Sequence, residues 1–232
     1  MRLAIIFFLL TLGFCLVIRN NGGWTWLLLW PALSFLLVGI AYATTDPRVF
    51  GKRLDGTIAP MSVVLLLPFL VYTWLIWRVV RQVHRIRSRQ PRASRITPDL
   101  WLSRRLLRHE LPADVSTLVD MTCEFPEARG VVAAVPFYHA LPTLDHGSPP
   151  QAETLALLRN LQSRGGVVLI HCAQGHGRSA LFASALLVAR GFAPDGDLAF
   201  ALVKQNRPNA RLTIGQKRAL DALVAQLRGK PG

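Results

Sequence analysis

The chain has 232 residues, 51% of them hydrophobic, a mean hydropathy of +0.33 and a net charge of +14. That is too apolar for one water-soluble domain of this length, so part of the chain belongs in a bilayer. The positive charge is local: ten Arg fall between Arg78 and Arg108 against the single Asp99, directly after a hydrophobic span. With no aromatic interleaved among the seven Arg of 78–95, this reads as a juxtamembrane segment and not as a nucleic-acid surface.

Leu3 to Ile18 is an uncharged apolar run behind Arg2. No small-x-small cleavage site follows, so an uncleaved span is expected in place of a signal peptide. The turn Asn20-Asn21-Gly22-Gly23 leads into Trp24–Ala43, a second uncharged run with Trp24, Trp26 and Trp30 near one end and Tyr42 at the other. A polar loop from Thr44 to Asp55 precedes a third run, Gly56 to Trp77, which carries Pro60 and Pro68. The expected organisation is a membrane region 1–80 with about three helices (3–18, 24–43 and 57–77), a basic linker 81–95 and a second domain 96–228. The Arg cluster outweighs Arg48, Lys52 and Arg53 of the preceding loop, so the C-terminal side is expected in the cytoplasm. The three cysteines, Cys15, Cys123 and Cys172, form no disulfide framework and suit a reducing compartment. The Arg-over-Lys balance associates with a GC-rich bacterium, hence an expected inner-membrane location.

After Ile96 the composition becomes that of a single α/β core. Leu100–Leu102, Thr117–Met121 and Val131–Val135 read as strands, and Gln151–Ser163, Asp197–Asn206 and Thr213–Leu227 as helices. Val167–Ile170 is a short buried strand after Gly165-Gly166, and Ser179–Arg190 a buried helix ended by Gly191. Between them lies His171-Cys172-Ala173-Gln174-Gly175-His176-Gly177-Arg178-Ser179. A strand, a tight glycine-containing loop and a helix N-terminus make an anion cradle, whose backbone amides can hold a phosphate-sized dianion. Arg178 supplies a planar fork for two phosphate oxygens. Cys172 sits where the same field favours thiolate. Ser179 can donate to that sulfur, and His171 is expected to orient the loop.

The string His-Cys-(five residues)-Arg-Ser resembles the signature of the cysteine-dependent protein tyrosine phosphatase superfamily, and its surroundings resemble the dual-specificity branch. Leu100-Trp101-Leu102-Ser103, Val119-Asp120-Met121-Thr122 and Arg207-Pro208-Asn209-Ala210 also match the family's accessory positions, so the resemblance covers Ile96 to Leu227. It implies an α/β dual-specificity-phosphatase-like domain, a central sheet flanked by helices, after an all-α transmembrane region. It also implies metal-free hydrolysis through a phosphocysteine with no cofactor. Cys172, Arg178, Asp145, Ser179 and His171 are the expected catalytic residues, and Ala173, Gln174, Gly175, His176 and Gly177 the expected substrate-binding ones.

Such hydrolysis needs a group that protonates the leaving oxygen and then deprotonates water. Asp145 is the candidate, in a proline-bounded surface loop, Pro136 to Pro150, 27 residues before Cys172. The competing reading is that it caps the following helix or starts a turn. His139 and His146 flank this loop. Asp120 is expected to be structural, and Cys123 a small buried side chain, with a disulfide to Cys172 on oxidation as the alternative. No spacing resembles a metal site. His176 stands where phosphoinositide-cleaving relatives carry Lys, whereas Ala173 stands where they carry another. The substrate is left as a phospholipid headgroup or a phosphorylated protein, with no nucleic-acid partner expected. A catalytically silent phosphate-binding module and a membrane scaffold are the alternatives.

Overall fold

The computed structural model describes residues 2–87 and 91–229. By its contacts the chain divides into two units.

The first unit comprises 1–53, 57–88 and the short segment Cys123–Pro126. It holds α1 (Arg2–Asn21), α2 (Leu29–Thr44), which follows a 3-10 turn at Gly23–Leu28, and α3 (Pro60–Arg87). Among the described residues, three helical stretches are long and apolar enough to cross a membrane, at 3–21, 23–44 and 60–83. They pack through aromatic rings: Phe7 meets Phe69 edge-on at 5.6 Å, and Phe35 meets Phe69 at 6.0 Å. Pro68 lies inside α3 and has no N–H to donate to the carbonyl four residues back, that of Val64. The indole Nε1 of Trp30 on α2 donates to that carbonyl at 2.9 Å, and Ser34 Oγ accepts the Phe69 N–H at 3.3 Å. Two α2 side chains therefore satisfy the backbone groups beside the proline, which a bilayer would leave unsolvated. The apolar run of α3 continues as helix through Arg78 and Arg81 to Arg87, and a strand begins at Ala93. Of the expected basic linker 81–95, therefore, most lies in helix or strand, and 88–90 fall outside the described residues.

The second unit, 54–56, 89–122 and 127–232, is a five-stranded sheet in the order β1-β2-β5-β3-β4. The strands are β1 (Ala93–Thr97), β2 (Leu100–Arg104), β3 (Thr117–Thr122), β4 (Phe137–Thr143) and β5 (Val168–Cys172). β1 and β2 pair antiparallel, and the remaining pairs are parallel. Side chains alternate between two cores, as a period of two requires. Leu100, Leu102, Val119, Met121, Val168 and Ile170 face the helices, whereas Trp101, Leu118 and Leu169 face a smaller cluster with Val115, Val131 and Val135. The helices are α4 (Gln151–Arg164), α5 (Arg178–Ala189), α6 (Gly196–Asn206) and α7 (Ile214–Leu227). α5 is buried from Arg178 through Leu187, which explains its near-continuous apolar sequence.

Two expectations are corrected. Residues 131–135 form no strand: Val132–Ala134 is a 3-10 turn, and the buried residues Val131 and Val135 stand four apart, a helical spacing. The fourth strand is instead Phe137–Thr143, inside the stretch taken for a loop. It lies at the sheet edge, where Pro142 removes no ladder bond from a further neighbour, and the register with β3 shifts between Asp120 and Thr122.

Candidate active site

β5 is the central strand, flanked by β2 and β3, and Cys172 is its last residue. This is the carboxyl end of the sheet's parallel strands, where open α/β folds bind ligands. The chain then turns within 173–177 and enters α5 at Arg178. The turn depends on Gly175, whose φ is +71. A Cβ there would overlap Ser103 O and lie 2.7 Å from Arg104 N, so the loop rests directly on the β2 backbone. The Gly175 N–H points inward and donates to Cys172 Sγ at 3.2 Å, and Ser179 Oγ lies 3.3 Å from the same sulfur. Burial pushes the Cys172 thiol up, but the Arg178 guanidinium and the Ser179 hydrogen bonds outweigh it, and the net direction is down. Ala173, Gln174, His176 and Gly177 are partly exposed along the loop, while Gly175 is buried.

Arg178 is 1% exposed. Its Nη1 donates to Thr143 O at 2.8 Å and Met121 O at 3.4 Å, at the ends of β4 and β3. These carbonyls fix the plane of the guanidinium. Nη2 is 3.3 Å from Asp145 Oδ1. Asp145 sits in a turn just past β4, closed by Gly147 N donating to Leu144 O at 2.9 Å. It does not cap α4, whose N-cap is Pro150. Burial raises the Asp145 pKa, but Arg178 and then His146 Nδ1, 3.1 Å away, hold it well below the usual carboxylate range. Its side chain is 55% exposed, so solvent screens part of that attraction. The hydrogen bond that His146 donates to Asp145 raises the pKa of His146, which adopts a left-handed φ of +61. His139, by contrast, lies on β4, and burial followed by Arg164 lowers its pKa.

His171, next to Cys172 on β5, is buried, with Nε2 at 2.8 Å from Glu127 Oε2 and 3.7 Å from Asp120 Oδ1. Asp120 accepts from Thr122 N at 2.8 Å and from the Tyr138 hydroxyl at 2.9 Å. Burial, then Asp120 and Glu127, push the Tyr138 pKa upward, so this hydroxyl stays a donor. Asp120, Glu127 and His171 offer three ligand atoms within 4.8 Å of one another and by geometry could hold a cation. They come from β3, the loop after it and β5, so no sequence spacing marks them. Glu127 and Tyr138 escaped the sequence reading for the same reason. Cys123 Sγ contacts Glu124 Oε2 at 3.5 Å and belongs to the first unit, whereas Cys172 belongs to the second.

Residues 103–224, just over half the chain, match the family described as PTP-SAK: Swiss Army Knife protein, DSP-PTPase phosphatase domain. The chain belongs to this phosphatase family. Solved structures with the same fold include a mutant form of Tk-PTP, 28% identical, covering 60% of this chain and 97% of that one with a TM-score of 0.52. PTPMT1 in complex with PI(5)P is 18% identical, covering 60% and 98%, with a TM-score of 0.52. A mouse putative dual specificity phosphatase complexed with zinc tungstate is 23% identical, covering 60% and 90%, with a TM-score of 0.50. Comparison with curated protein sequences finds no match. The phosphatase domain is thus a phosphoric monoester hydrolase of the dual-specificity and tyrosine-phosphatase type.

Proposed function

We propose that this protein is a membrane-anchored phosphatase that cleaves a phosphorylated lipid headgroup through a phosphocysteine intermediate. The observation that carries the mechanism is the convergence on Cys172 Sγ of the Gly175 amide and Ser179 Oγ, with Arg178 joined to Asp145 beside them. In this reading the Cys172 thiolate attacks phosphorus, and the phosphorus–oxygen bond to the leaving alcohol breaks. Arg178 and the amides of 173–178 hold the equatorial oxygens as charge develops. Asp145 donates its proton to the departing oxygen, then takes one from the water that cleaves the phosphorus–sulfur bond. Ser179 Oγ stabilises the returning thiolate, and His171, fixed by Glu127, orients the loop.

Two features support a lipid substrate and membrane anchorage. Three apolar helices precede the domain, and Arg78 and Arg81 open a basic stretch that anionic lipid would attract by about 1 kcal/mol per residue near the surface. At the loop itself, Arg178 is buried at the helix entry and Arg211 N donates to His176 O at 3.0 Å, so two arginines border the loop beside the partly exposed His176. PTPMT1, which shares the fold, has been solved with PI(5)P. The membrane is then a bacterial inner membrane, with the phosphatase domain in the cytoplasm. The intact Cys172, Arg178 and Ser179 set disfavours a silent phosphate-binding module. Full-length protein in nanodiscs, assayed for phosphate release from phospholipids and from phosphotyrosine and phosphoserine peptides, tests the assignment. Faster turnover of lipid is expected. Turnover of peptides far above any phospholipid would transfer the assignment to a phosphoprotein substrate.

A further inference from the structure

The outer side of the phosphate loop accounts for four consecutive carbonyls. Arg105 N donates to Ala173 O at 3.4 Å and Arg211 N to His176 O at 3.0 Å. Arg207 spans the two between them, Nη2 to Gln174 O at 3.1 Å and Nε to Gly175 O at 2.6 Å. In a planar trans peptide the C=O and the following N–H point opposite ways, so carbonyls held outward turn the next amides inward. Arg207, 1% exposed, is costly to bury unless its donors are used. Its remaining bonds run to Pro91 O and Ser94 Oγ, both at 3.3 Å. All these acceptors are neutral, so the guanidinium keeps its full charge behind the loop. Burial pulls its pKa down to about 10, Cys172 opposes that shift and Arg104 adds to it, so it stays cationic at neutral pH.

The same connection reaches the acid turn. Gln216, also 1% exposed, donates from Nε2 to Gly147 O at 2.9 Å while its Oε1 accepts from Thr213 N at 3.1 Å. Thr213 Oγ1 donates to His146 O at 3.4 Å. A Cβ on Gly177 would meet Gln216 Oε1 at 3.3 Å, so this amide also lies against the phosphate loop.

We propose that the connection from Arg207 to Gln216 sets the two halves of the site in register, with Arg207 positioning the phosphate loop and Gln216 positioning the turn that carries Asp145. The proposal rests on the reading of Cys172 as nucleophile and Asp145 as acid. It requires the two residues to fail differently. Arg207 acts on every substrate, through the amides and the thiolate. Gln216 acts where protonation of the leaving group limits the rate.

Full-length Arg207→Met, Arg207→Lys, Gln216→Met and Gln216→Glu proteins are compared with wild type by two measurements. One is the pH midpoint of Cys172 alkylation by iodoacetamide. The other is turnover of phenyl phosphate, a poor leaving group, and 4-nitrophenyl phosphate, a good one. Arg207→Met is expected to raise the alkylation midpoint and to lower kcat/KM on both substrates alike, by about a hundredfold, the scale of losing a pre-aimed amide donor. Arg207→Lys keeps the charge but reaches one carbonyl, so it should restore part of the midpoint and little of the rate. Gln216→Met should leave the midpoint in place and lower kcat on phenyl phosphate by about tenfold more than on the nitro compound, a fraction of what general acid catalysis contributes. Gln216→Glu keeps an acceptor for Thr213 N but lacks the donor to Gly147 O, and should behave like Gln216→Met. A wild-type midpoint in both Arg207 variants, or equal losses on the two substrates in both Gln216 variants, overturns the proposal. Absence of phosphate release by wild type would defeat the proposed function, and the alkylation midpoints would still decide the role of Arg207.

Discussion

Gly175→Ala probes the phosphate loop at its tightest point. The native φ of +71 costs an L-residue about 1–2 kcal/mol, and the new Cβ would stand 2.5 Å from Ser103 C and 2.7 Å from Arg104 N. Both atoms belong to β2, whose register with β5 pins it, so the strand cannot yield and the loop must move. Movement of the loop takes the Gly175 N–H away from Cys172 Sγ. A hydrogen bond to a charged group is worth about 1.5–3 kcal/mol. At about 1.4 kcal/mol per pKa unit, the Cys172 thiol should rise by about one to two units. Iodoacetamide alkylation followed across pH reads this directly, with thermal unfolding in detergent as the control for folding. An unmoved midpoint, with 4-nitrophenyl phosphate turnover within about threefold of wild type, would refute the account of the loop as an amide cradle that only glycine closes.

Cys172→Ser should abolish turnover while retaining vanadate binding by calorimetry, because the amides and Arg178 remain; residual activity within about tenfold would sink covalent catalysis. Asp145→Asn should lower turnover of phenyl phosphate by about a hundredfold and of 4-nitrophenyl phosphate much less, and equal losses would remove Asp145 as the acid. The same variant tests the ion pair to Arg178. Because the folded-state pKa of Asp145 is depressed, its stabilising contribution is present above the ordinary carboxylate pKa and disappears as pH falls through the lowered value. The Tm difference between wild type and Asp145→Asn should therefore shrink on acidification below about pH 4, and a growing difference would contradict the pairing. Trp30→Phe should destabilise the helical unit by about 1–2 kcal/mol, since Val64 O beside Pro68 loses its donor; unchanged unfolding in detergent would show that the carbonyl finds another.

The site was legible in the sequence where its chemistry is contiguous. From Cys172 to Ser179 the proposed nucleophile, the glycine turn and the helix entry are consecutive, and their contacts span at most seven residues. The three apolar runs were legible because an uncharged stretch of such length has few other uses. Hidden from the sequence was everything that depends on segments distant in the chain meeting. Glu127 reaches His171 across 44 residues, and Arg207 reaches Gly175 across 32. Phe137–Thr143 was concealed by Pro142 within it, which an edge position tolerates and a central one does not. Val131–Val135 looked like a strand by composition, but burial at four-residue spacing made it a turn, a tertiary choice that local propensity does not encode.

The resting pair of Asp145 and Arg178 bears on how the proposed cycle begins. A general acid must carry a proton, yet in the free site Arg178 favours the ionised carboxylate. Substrate reverses this. When a phosphate dianion takes over the Arg178 fork, its negative charge cancels the attraction that lowered the Asp145 pKa and repels the carboxylate directly, and both effects favour protonation. Thr143 O and Met121 O keep hold of Nη1 throughout, so the guanidinium can exchange a carboxylate for a phosphate without rotating out of its plane. In the proposed cycle Arg178 then serves as parking place for the acid before binding and as clamp for the phosphate after it, and occupancy of the loop is the event that arms Asp145.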